Sequence, residues 1–429
     1  MKLMNLKGTF DFLPSDQVIR NKIINTLRTN FEKYGYLPLE TPILNYYDLL
    51  AYKYDSDAEI LSEIYKLKDQ GDRNLGLRYD LTVPFCKVIG MTKDLRLPFR
   101  RYEIGKVFRN GPVKLGRTRE FYQCDVDVVG IDNRLIEAEQ ILMGINTYKD
   151  LGIDVLVKYN NRKLMSGLIK EAGISEEKVT SVIGAIDKLE KITREELIEN
   201  LENLGLDNIV INNLLELFEY SFNDYEEKFK DTTNQDIKDG LEELLELNTY
   251  LSNLGIIDSC KFTPTLARGL TIYTGVVFEF YDKQLRLTCA LGAGGRYNKI
   301  ITDFMDNGTL YPAIGFSFGL EPIYTILKGE ATKNSLIDIY LVPLDTNIET
   351  LKIATALREE GYKVLVEMNK KKVGKCFEYA EHENIKFISI IGSNEVETQV
   401  ISVKNMTTKE ENQIKINELS NFLKNNIDK

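Results

Sequence analysis

The stretch at residues 109–130 constrains the fold of this chain more than any other segment. An arginine-rich loop is followed by residues that alternate with the period of a β-strand. One set is mostly apolar and suits a core: Glu120, Tyr122, Cys124, Val126 and Val128. The other set is Arg119, Phe121, Gln123, Asp125 and Asp127. A buried sheet face tolerates an amide and two carboxylates only when they are paired. The pattern therefore predicts a site for a ligand that is anionic at one end and a hydrogen-bonding cation or amine at the other. The alternative is a solvated sheet face.

Positive charge is concentrated in the same region, although the chain as a whole is acidic. With 55 Lys and Arg against 65 Asp and Glu, the formal net charge is −10. Nine basic residues but only two acidic ones occur between positions 93 and 119. Since guanidinium groups match phosphate oxygens bidentately, we expect this region to bind phosphate. Any contact with nucleic acid should be local and sensitive to salt.

The single histidine, His382, lies in a charged segment and is predicted to be a surface residue. This excludes histidine-based triads, a conventional zinc site and histidine general-base chemistry. The sequence has no Gly-x-x-x-x-Gly-Lys-[Ser/Thr] loop. If ATP binds, it should therefore bind on a sheet that carries arginines.

The cysteines and apolar runs indicate a compartment. Five scattered cysteines include no Cys-x-x-Cys pair and are expected to be reduced, which favours a cytoplasmic protein. No apolar run approaches the ~20 residues that a membrane span requires. The first residues lack the apolar core of a signal peptide, so we expect no membrane association.

Changes of pattern along the chain predict its domains. Residues 162–255 are rich in Glu, Lys, Asn and Leu with helical spacing, and form either a helical insertion or a helical part of the same domain. From about residue 335, alternating strands and helices predict a separate α/β domain with a largely parallel sheet. Residues 410–424 are predicted to be its last helix. The predicted domains are therefore 1–330 and 335–429.

Several motifs resemble those of the class II aminoacyl-tRNA synthetases, in the form found in histidyl-tRNA synthetases. Gly-Arg-Thr-Arg-Glu-Phe-Tyr-Gln-Cys-Asp at residues 116–125 resembles part of motif 2, and residues 34–42 are similar to motif 1. Residues 77–84 resemble the amino-acid-binding strand, and residues 267–275 a histidine-specific motif. Residues 294–297 and 313–321 are similar to the last strands of that site. The C-terminal pattern resembles the family's anticodon-binding domain.

The resemblance implies an α+β fold, in which an antiparallel sheet is flanked by helices, carries a helical insertion and is followed by the C-terminal α/β domain. It also implies a homodimeric histidine–tRNA ligase, with Pro42 at the dimer interface. Such an enzyme forms histidyl-adenylate from histidine and Mg²⁺-ATP and then transfers histidine to tRNA(His).

The resemblance also assigns roles to individual residues. The ATP-binding positions are Arg109, Arg117 and Arg268. Of these, Arg109 and Arg268 would be catalytic, because fixed positive charge must stabilise the α-phosphate while a carboxylate attacks it. The histidine-binding positions are Asp80, Thr82, Gln123, Asp127, Tyr273 and Tyr297. Asp127 would accept a hydrogen bond from an imidazole N–H, and Asp80 and Thr82 would bind the ammonium group. The resemblance gives no metal ligands.

Three positions depart from the family pattern. Thr271 and Asn298 replace acidic residues, and Pro322 replaces the motif 3 arginine that contacts the ATP γ-phosphate. Proline suits the first turn of a helix, and neighbouring cations such as Arg117 or Arg296 are predicted to hold the triphosphate instead. The departures leave open a non-catalytic paralogue, such as the histidine-sensing regulatory subunit of ATP phosphoribosyltransferase. A ligase that acts on a non-tRNA acceptor is a further alternative.

Overall fold

The computed structural model describes residues 2–52, 59–92, 94–113, 118–189, 192–267, 272–330 and 335–427. The chain forms two compact units, one of Met1–Asp11 with Arg20–Ile326 and one of Phe12–Ile19 with Leu327–Lys429. The first unit contains a large, mostly antiparallel sheet, and the second contains a smaller mixed sheet. The predicted fold class is confirmed.

The large sheet has eight strands in the order β1-β5-β6-β11-β10-β9-β7-β8. Their bounds are β1 Leu37–Pro38, β5 Phe99–Phe108, β6 Glu120–Val129, β7 Val155–Asn161, β8 Cys260–Phe262, β9 Val276–Asp282, β10 Gly292–Arg296 and β11 Ala313–Gly319. Strand β1 is parallel to β5, β8 is parallel to β7, and the other neighbours are antiparallel. A second, antiparallel sheet consists of β2 Leu44–Tyr46, β3 Lys66–Lys68 and β4 Asn74–Leu77.

Helices occur before, between and after these strands. Those outside the predicted insertion are α1 Pro14–Lys33, α2 Tyr47–Ala51, α3 Glu59–Glu63, α4 Thr82–Met91, α5 Leu135–Asp150, α12 Asn298–Met305 and α13 Leu320–Glu330. The segment between β7 and β8 contains α6 Arg162–Glu171, α7 Glu176–Ile186, α8 Arg194–Asn203, α9 Asn208–Leu217, α10 Phe222–Lys228 and α11 Gln235–Asn253. This segment is helical as predicted, and it belongs to the same compact unit as the large sheet.

One face of the large sheet is apolar and packs against α1 and α5. The ring of Phe31 in α1 lies 5.5 Å from Tyr102 and 5.4 Å from Phe318, measured between ring centroids. Tyr148 in α5 lies 5.3 Å from Phe280. Each buried ring of this kind stabilises the fold by roughly 1.5–3 kcal/mol. Because this face forms the core, the opposite face of the sheet carries the polar side chains of β6.

The second unit has a five-stranded sheet in the order β13-β12-β14-β15-β16. Its elements are β12 Ile339–Pro343, α14 Asn347–Glu359, β13 Val364–Val366, α15 Val373–His382, β14 Phe387–Ile391, α16 Ser393–Thr398, β15 Val400–Asn405, β16 Glu411–Lys415 and α17 Leu419–Asn426. Strands β13, β12 and β14 are parallel, as predicted, whereas β15 and β16 are antiparallel to their neighbours.

The predicted helix over residues 410–424 is wrong in its first part. Residues of β16 pair with β15, and α17 begins only at Leu419. Strand β16 is an edge strand whose residues are exposed except for the half-buried Ile414. A strand with so little burial has no apolar alternation, so its sequence gave no strand signal.

Two smaller predictions concern single residues and membrane spans. The His382 side chain is 83% exposed beside Glu383, which confirms its surface position. Within the ranges that the structure describes, no helix combines the length and the apolar character of a membrane span.

Candidate active site

The face of the large sheet that lies opposite α1 and α5 has a floor of small residues. Residues that pair directly across strands share a face of the sheet. On this face the central strands β10 and β11 place five small residues: Ala293, Gly295, Gly315, Ser317 and Gly319. On one side, β6 adds Gln123, Asp125 and Asp127, paired with Gly319, Ser317 and Gly315. A ligand can therefore lie close to the backbone of the central strands, against the polar wall formed by β6.

At one end of this wall, Asp127 joins a buried cluster with Arg101 and Tyr297. The carboxylate lies 2.7 Å from Nη2 of Arg101 and accepts a hydrogen bond from the Tyr297 hydroxyl. The exposed fractions of the three residues are 3%, 0% and 3%. A Cβ at Gly315 would lie 2.1 Å from Oδ1 of Asp127, so only glycine leaves room for the carboxylate. Burial raises the pKa of Asp127, although Arg101 and the Tyr297 hydrogen bond favour its charged form.

Arg101 is the positive charge of this cluster. Burial alone would lower its pKa, but the charges of Asp127, Asp125 and Glu103 raise it overall. Its guanidinium lies 4.5 Å from the centre of the Phe85 ring. Sequence reasoning missed this residue because its place opposite Asp127 depends on the register of β5 and β6.

Several buried polar atoms of the cluster have no hydrogen-bond partner in the part of the chain that the structure describes. They include Nε and Nη1 of Arg101, Oε1 of Gln123 and Oδ1 of Asp125. Buried polar groups in folded proteins almost always have a partner. Their concentration on one sheet face therefore marks a place where a polar ligand can bind.

The segment between β4 and α4 brings Asp80 to the same site. The residues on either side of Asp80 contact both ends of the polar wall, because the Tyr79 carbonyl accepts from Nε of Arg109 at 3.1 Å and the Leu81 carbonyl accepts from Nη2 of Arg101 at 3.3 Å. Burial is the main cause of the raised pKa of Asp125 and of Asp127, and the charge of Asp80 contributes to both shifts. Asp80 is 8% exposed, and Thr82, the first residue of α4, is half-buried.

The predicted strand over residues 77–84 is wrong, because β4 ends at Leu77 and α4 begins at Thr82. Oδ1 of Asp80 accepts a hydrogen bond of 3.0 Å from the backbone N–H of Val83. This bond satisfies an amide of the first helical turn that has no partner within the helix. Pro84, also in the first turn, has no backbone N–H and needs no such partner. The Asp80 hydrogen bond and Pro84 together favour the start of a helix here over a longer strand.

Arg109 lies at the opposite end of the polar wall from Asp127. It directly follows β5, and its backbone N–H donates to the carbonyl of Arg119 across the hairpin at 2.9 Å. Nε donates to the Tyr79 carbonyl at 3.1 Å, and the guanidinium lies 5.1 Å from the centre of the Phe121 ring. The wall thus runs from a cation at Arg109 past Gln123 and Asp125 to the acid at Asp127.

Tyr273 packs against the glycine floor from the side of β10. It is 9% exposed and lies in an apolar cluster with Leu266 and Val277. A Cβ at Gly295 would meet Cδ1 of Tyr273 at 2.9 Å, and Gly295 pairs with Gly315. The structure therefore brings Tyr273, Tyr297 and Asp127 to neighbouring positions around two adjacent glycines.

The remaining predicted positions are of two kinds. Arg117, Arg268 and Thr271 lie outside the described residues. Asn298 is described, and its Oδ1 accepts the backbone N–H of Ala313 at 3.0 Å. Pro322 lies in the first turn of α13, as expected for a proline at a helix start.

Arg296 does not fit the predicted role as a partner of the triphosphate. Nε and Nη2 donate to the Glu137 carboxylate at 2.6 and 2.9 Å. The three remaining N–H groups donate to the carbonyls of Ile131 and Asn133 and to Asp132. Because a guanidinium has five N–H donors and the residue is only 1% exposed, none remains for a phosphate.

No metal cage is formed by the described side chains alone, since they include no group of three or more acidic, cysteine or histidine residues suited to a metal ion. Magnesium is commonly held by one or two carboxylates together with substrate phosphates. The donor set is therefore compatible with a metal that arrives with its nucleotide.

Comparison with known proteins identifies the family. Residues 8–323 match the family model described as histidyl-tRNA synthetase, and residues 338–426 match the model described as anticodon binding domain. The chain belongs to the histidyl-tRNA synthetase family.

Individual relatives agree with this assignment. A protein named Histidine–tRNA ligase 1 from Bacillus thuringiensis subsp. konkukian is 44% identical over 428 residues, which cover 99% of this chain and 100% of the relative. The crystal structure of histidyl-tRNA synthetase from Nostoc sp. PCC 7120 has a TM-score of 0.86 at 27% identity and covers 99% of both chains. An ATP phosphoribosyltransferase regulatory subunit/histidyl-tRNA synthetase from Bacillus halodurans has a TM-score of 0.77 at 22% identity, covering 91% of this chain and 98% of that one. The last match shows the fold alone.

Proposed function

We propose that this protein is a histidine–tRNA ligase that activates histidine with ATP and transfers it to tRNA(His). The observation that carries the proposal is the polar wall of β6, with Arg109 at one end and the Asp127–Tyr297 pair at the other. A histidine lying along the wall would place its imidazole at Asp127 and its carboxylate toward Arg109. The family membership and the names of the full-length relatives support this assignment.

The chemistry requires two anions to approach each other. The histidine carboxylate attacks the α-phosphorus of ATP, the bond to the bridging oxygen breaks, and pyrophosphate leaves with the electron pair. In the second step a terminal ribose hydroxyl of the tRNA attacks the carbonyl carbon of the adenylate and AMP leaves. Arg109 and Arg268 stabilise the charge that develops at the α-phosphate, where one such contact contributes ~10²–10³ in rate.

Histidine is recognised by groups at both ends of the wall. Asp127 accepts a hydrogen bond from an imidazole N–H, with Tyr297 and Tyr273 beside the ring. Asp80 and Thr82 bind the ammonium group, and Gln123 completes the polar wall. Arg117 contacts the ATP phosphates. Mg²⁺ arrives with ATP and neutralises phosphate charge, held mainly by phosphate oxygens.

The domain division of the proposal is a catalytic domain at 1–330, with a helical insertion at about 162–255, and a tRNA-binding domain at 335–429. A lysine turn in the second unit supports the latter role. Residues 368–375 contain Lys370, Lys371, Lys372 and Lys375 and no acidic residue, although the chain is acidic overall. RNA phosphates attract such a cluster.

An aromatic ring lies next to the lysine turn. Lys371 donates to the buried Glu367 carboxylate at 2.8 Å, and its Nζ is 5.1 Å from the centre of the Tyr379 ring. Tyr379 is 38% exposed. Unpaired bases stack on exposed aromatic rings with ~1–3 kcal/mol each, so the lysine turn with Tyr379 fits a single-stranded RNA loop such as an anticodon.

The proposed enzyme is a cytoplasmic homodimer. Leu37, Ile43, Leu44 and Tyr46 are 62%, 42%, 48% and 59% exposed, and Pro42 lies among them. Neighbouring exposed apolar residues of this kind mark protein–protein contacts. Leu44→Glu should shift the protein toward monomer in sedimentation analysis, and an unchanged mass would contradict an interface at this segment.

The non-catalytic paralogue and the non-tRNA ligase are less well supported. The full length of the chain is matched by relatives named as tRNA ligases, and residues 338–426 match an anticodon-binding model. The regulatory subunit is represented by a structure at 22% identity, which supports the shared fold only.

Histidine-dependent exchange of pyrophosphate into ATP tests the proposal, followed by charging of tRNA(His). We expect exchange with histidine and no other amino acid, and transfer only to tRNA(His). Calorimetry that detected histidine binding but no ATP binding at millimolar nucleotide would contradict the proposal and favour the regulatory paralogue.

A further inference from the structure

Asp125 is a buried carboxylate of the polar wall to which the assignments above give no role. It lies on β6 between Gln123 and Asp127 on the same face, and it pairs with Glu103 on β5 and Ser317 on β11. The residue is 5% exposed, and its Oδ1 has no hydrogen-bond partner among the residues that the structure describes. Its carboxylate therefore has an acceptor to offer to a ligand.

The charges around Asp125 favour a cationic ligand. The close ion pair of Arg101 is with Asp127 at 2.7 Å. Glu103 has its own partner, because Arg78 donates to it at 2.8 Å and Thr41 binds the same oxygen. Within the described ranges no arginine or lysine forms an ion pair with Asp125, although the more distant charge of Arg101 and a hydrogen bond from Ser317 favour its charged form. A buried carboxylate without a close counter-charge is costly, and a bound cation would lower that cost.

We infer that Asp125 binds the α-ammonium group of histidine and thereby sets the position of the amino acid along the wall. The inference rests on the proposed function, which supplies histidine as the ligand. Residues two apart on a strand are ~6.6–6.8 Å apart. Standard bond lengths place the far imidazole nitrogen of an extended histidine about 6 Å from its α-nitrogen. With the imidazole at Asp127, the ammonium group falls beside Asp125.

Neighbouring groups agree with this placement. Asp80, the other proposed ammonium ligand, is close enough for its charge to raise the pKa of Asp125. Burial contributes most to that shift and brings the pKa to about 7, while Arg101 and the Ser317 hydrogen bond act in the opposite direction. An ammonium group between the two carboxylates would restore the charged form of Asp125.

The test compares histidine with 3-(imidazol-4-yl)propionate, which lacks only the amino group. Calorimetry on the full chain should show that the wild-type protein binds histidine at least ~10-fold more tightly, since hydrogen bonds to charged groups have this magnitude. Asp125→Asn keeps the shape of the side chain. It should lower that preference by about 10-fold or more while the affinity for the propionate changes little.

Glu279→Gln is the matched control, because Glu279 is a carboxylate on the same face that pairs with Ala293, on the other side of the floor from β6. Glu279→Gln should leave the preference for histidine over the propionate within about 2-fold of the wild-type value. Loss of a hydrogen bond to a charged ligand group would change that preference more. If Asp125→Asn weakens both ligands equally, the residue only shapes the pocket and the inference is wrong. The same conclusion follows if the variant, shown to be folded by circular dichroism, keeps the full preference. A wild-type protein that binds neither ligand would instead contradict the proposed function.

Discussion

Replacing Arg101 by methionine should destabilise the first unit strongly while changing side-chain volume little. The guanidinium is fully buried and lies 2.7 Å from Asp127 and 3.9 Å from Glu103. Asp125 is also close enough to raise the pKa of Arg101. Removing one member of a buried ion pair typically costs ~3–5 kcal/mol, because the partner charge stays buried. Coulomb's law gives a similar value of about 4 kcal/mol for unit charges 4 Å apart at an effective dielectric constant of 20.

The assay is urea unfolding with and without Asp127→Asn in the same chain. Arg101→Met alone should lower the free energy of unfolding by about 3–5 kcal/mol. In the double variant the cost should be smaller than the sum of the two single changes, because the neutral amide needs no cation. We expect a coupling free energy of at least ~1 kcal/mol, as found for residues in contact.

An exposed ion pair provides the control. Lys68 and Asp72 are 2.6 Å apart, but their side chains are 61% and 81% exposed. Lys68→Met should change stability by less than ~1 kcal/mol, since surface pairs contribute little. If Arg101→Met were equally mild, or if its effect simply added to that of Asp127→Asn, the reasoning about a buried charge cluster would be refuted.

Three further predictions concern the proposed reaction. Arg268→Ala should lower histidine-dependent exchange by at least ~10²-fold and leave the fold intact by circular dichroism, and near-normal exchange would remove Arg268 from the mechanism. Lys370→Glu with Lys372→Glu should raise the KM for tRNA about 10-fold without affecting exchange; Lys352→Glu with Lys424→Glu, on helices α14 and α17, is the control and should change that KM by less than ~2-fold. The ammonium group of histidine should bind the ionised form of Asp125, whose pKa is about 7 in the protein alone. The affinity of the wild-type protein for histidine should therefore rise with pH between about 6 and 8 more steeply than that of Asp125→Asn. Equal slopes of affinity against pH in the two proteins would contradict this.

The sequence was sufficient to predict the polar face of β6, because alternation along a single strand reveals which residues share a face. It could not show what lies opposite that face. Arg101 meets Asp127 through the register of the β5–β6 hairpin, and Gly315 makes room for the same carboxylate from a strand nearly two hundred positions further along the chain. Such pairings depend on tertiary structure and leave no local pattern.

The same limit explains the error at Arg296. Arg296 lies in the segment 294–297, which resembles a strand of the family's site, and was therefore predicted to be a neighbouring cation for the triphosphate. Its carboxylate partner, Glu137, is 159 residues away in sequence and lies on α5. Sequence spacing gives no sign of this ion pair. Because both side chains are buried, the pair stabilises the fold, and Arg296 does not bind a ligand.

Because Arg296 is no longer a candidate, we propose that the motif 2 loop binds the γ-phosphate. Pro322 has neither charge nor N–H donor, and all five donors of Arg296 are engaged. Arg117 is then the remaining cation proposed for the triphosphate. Arg117→Ala should raise the KM for ATP by about 10-fold or more, the magnitude of one charge-assisted hydrogen bond, with little change in the KM for histidine.

Lys106→Ala removes the same charge from the same hairpin, but Lys106 pairs with Glu120 and is exposed. It should leave both constants within about 2-fold, because exposed ion pairs contribute little. If Arg117→Ala had no larger effect than Lys106→Ala, the triphosphate would have to be held by Mg²⁺ and Arg109 without help from the loop.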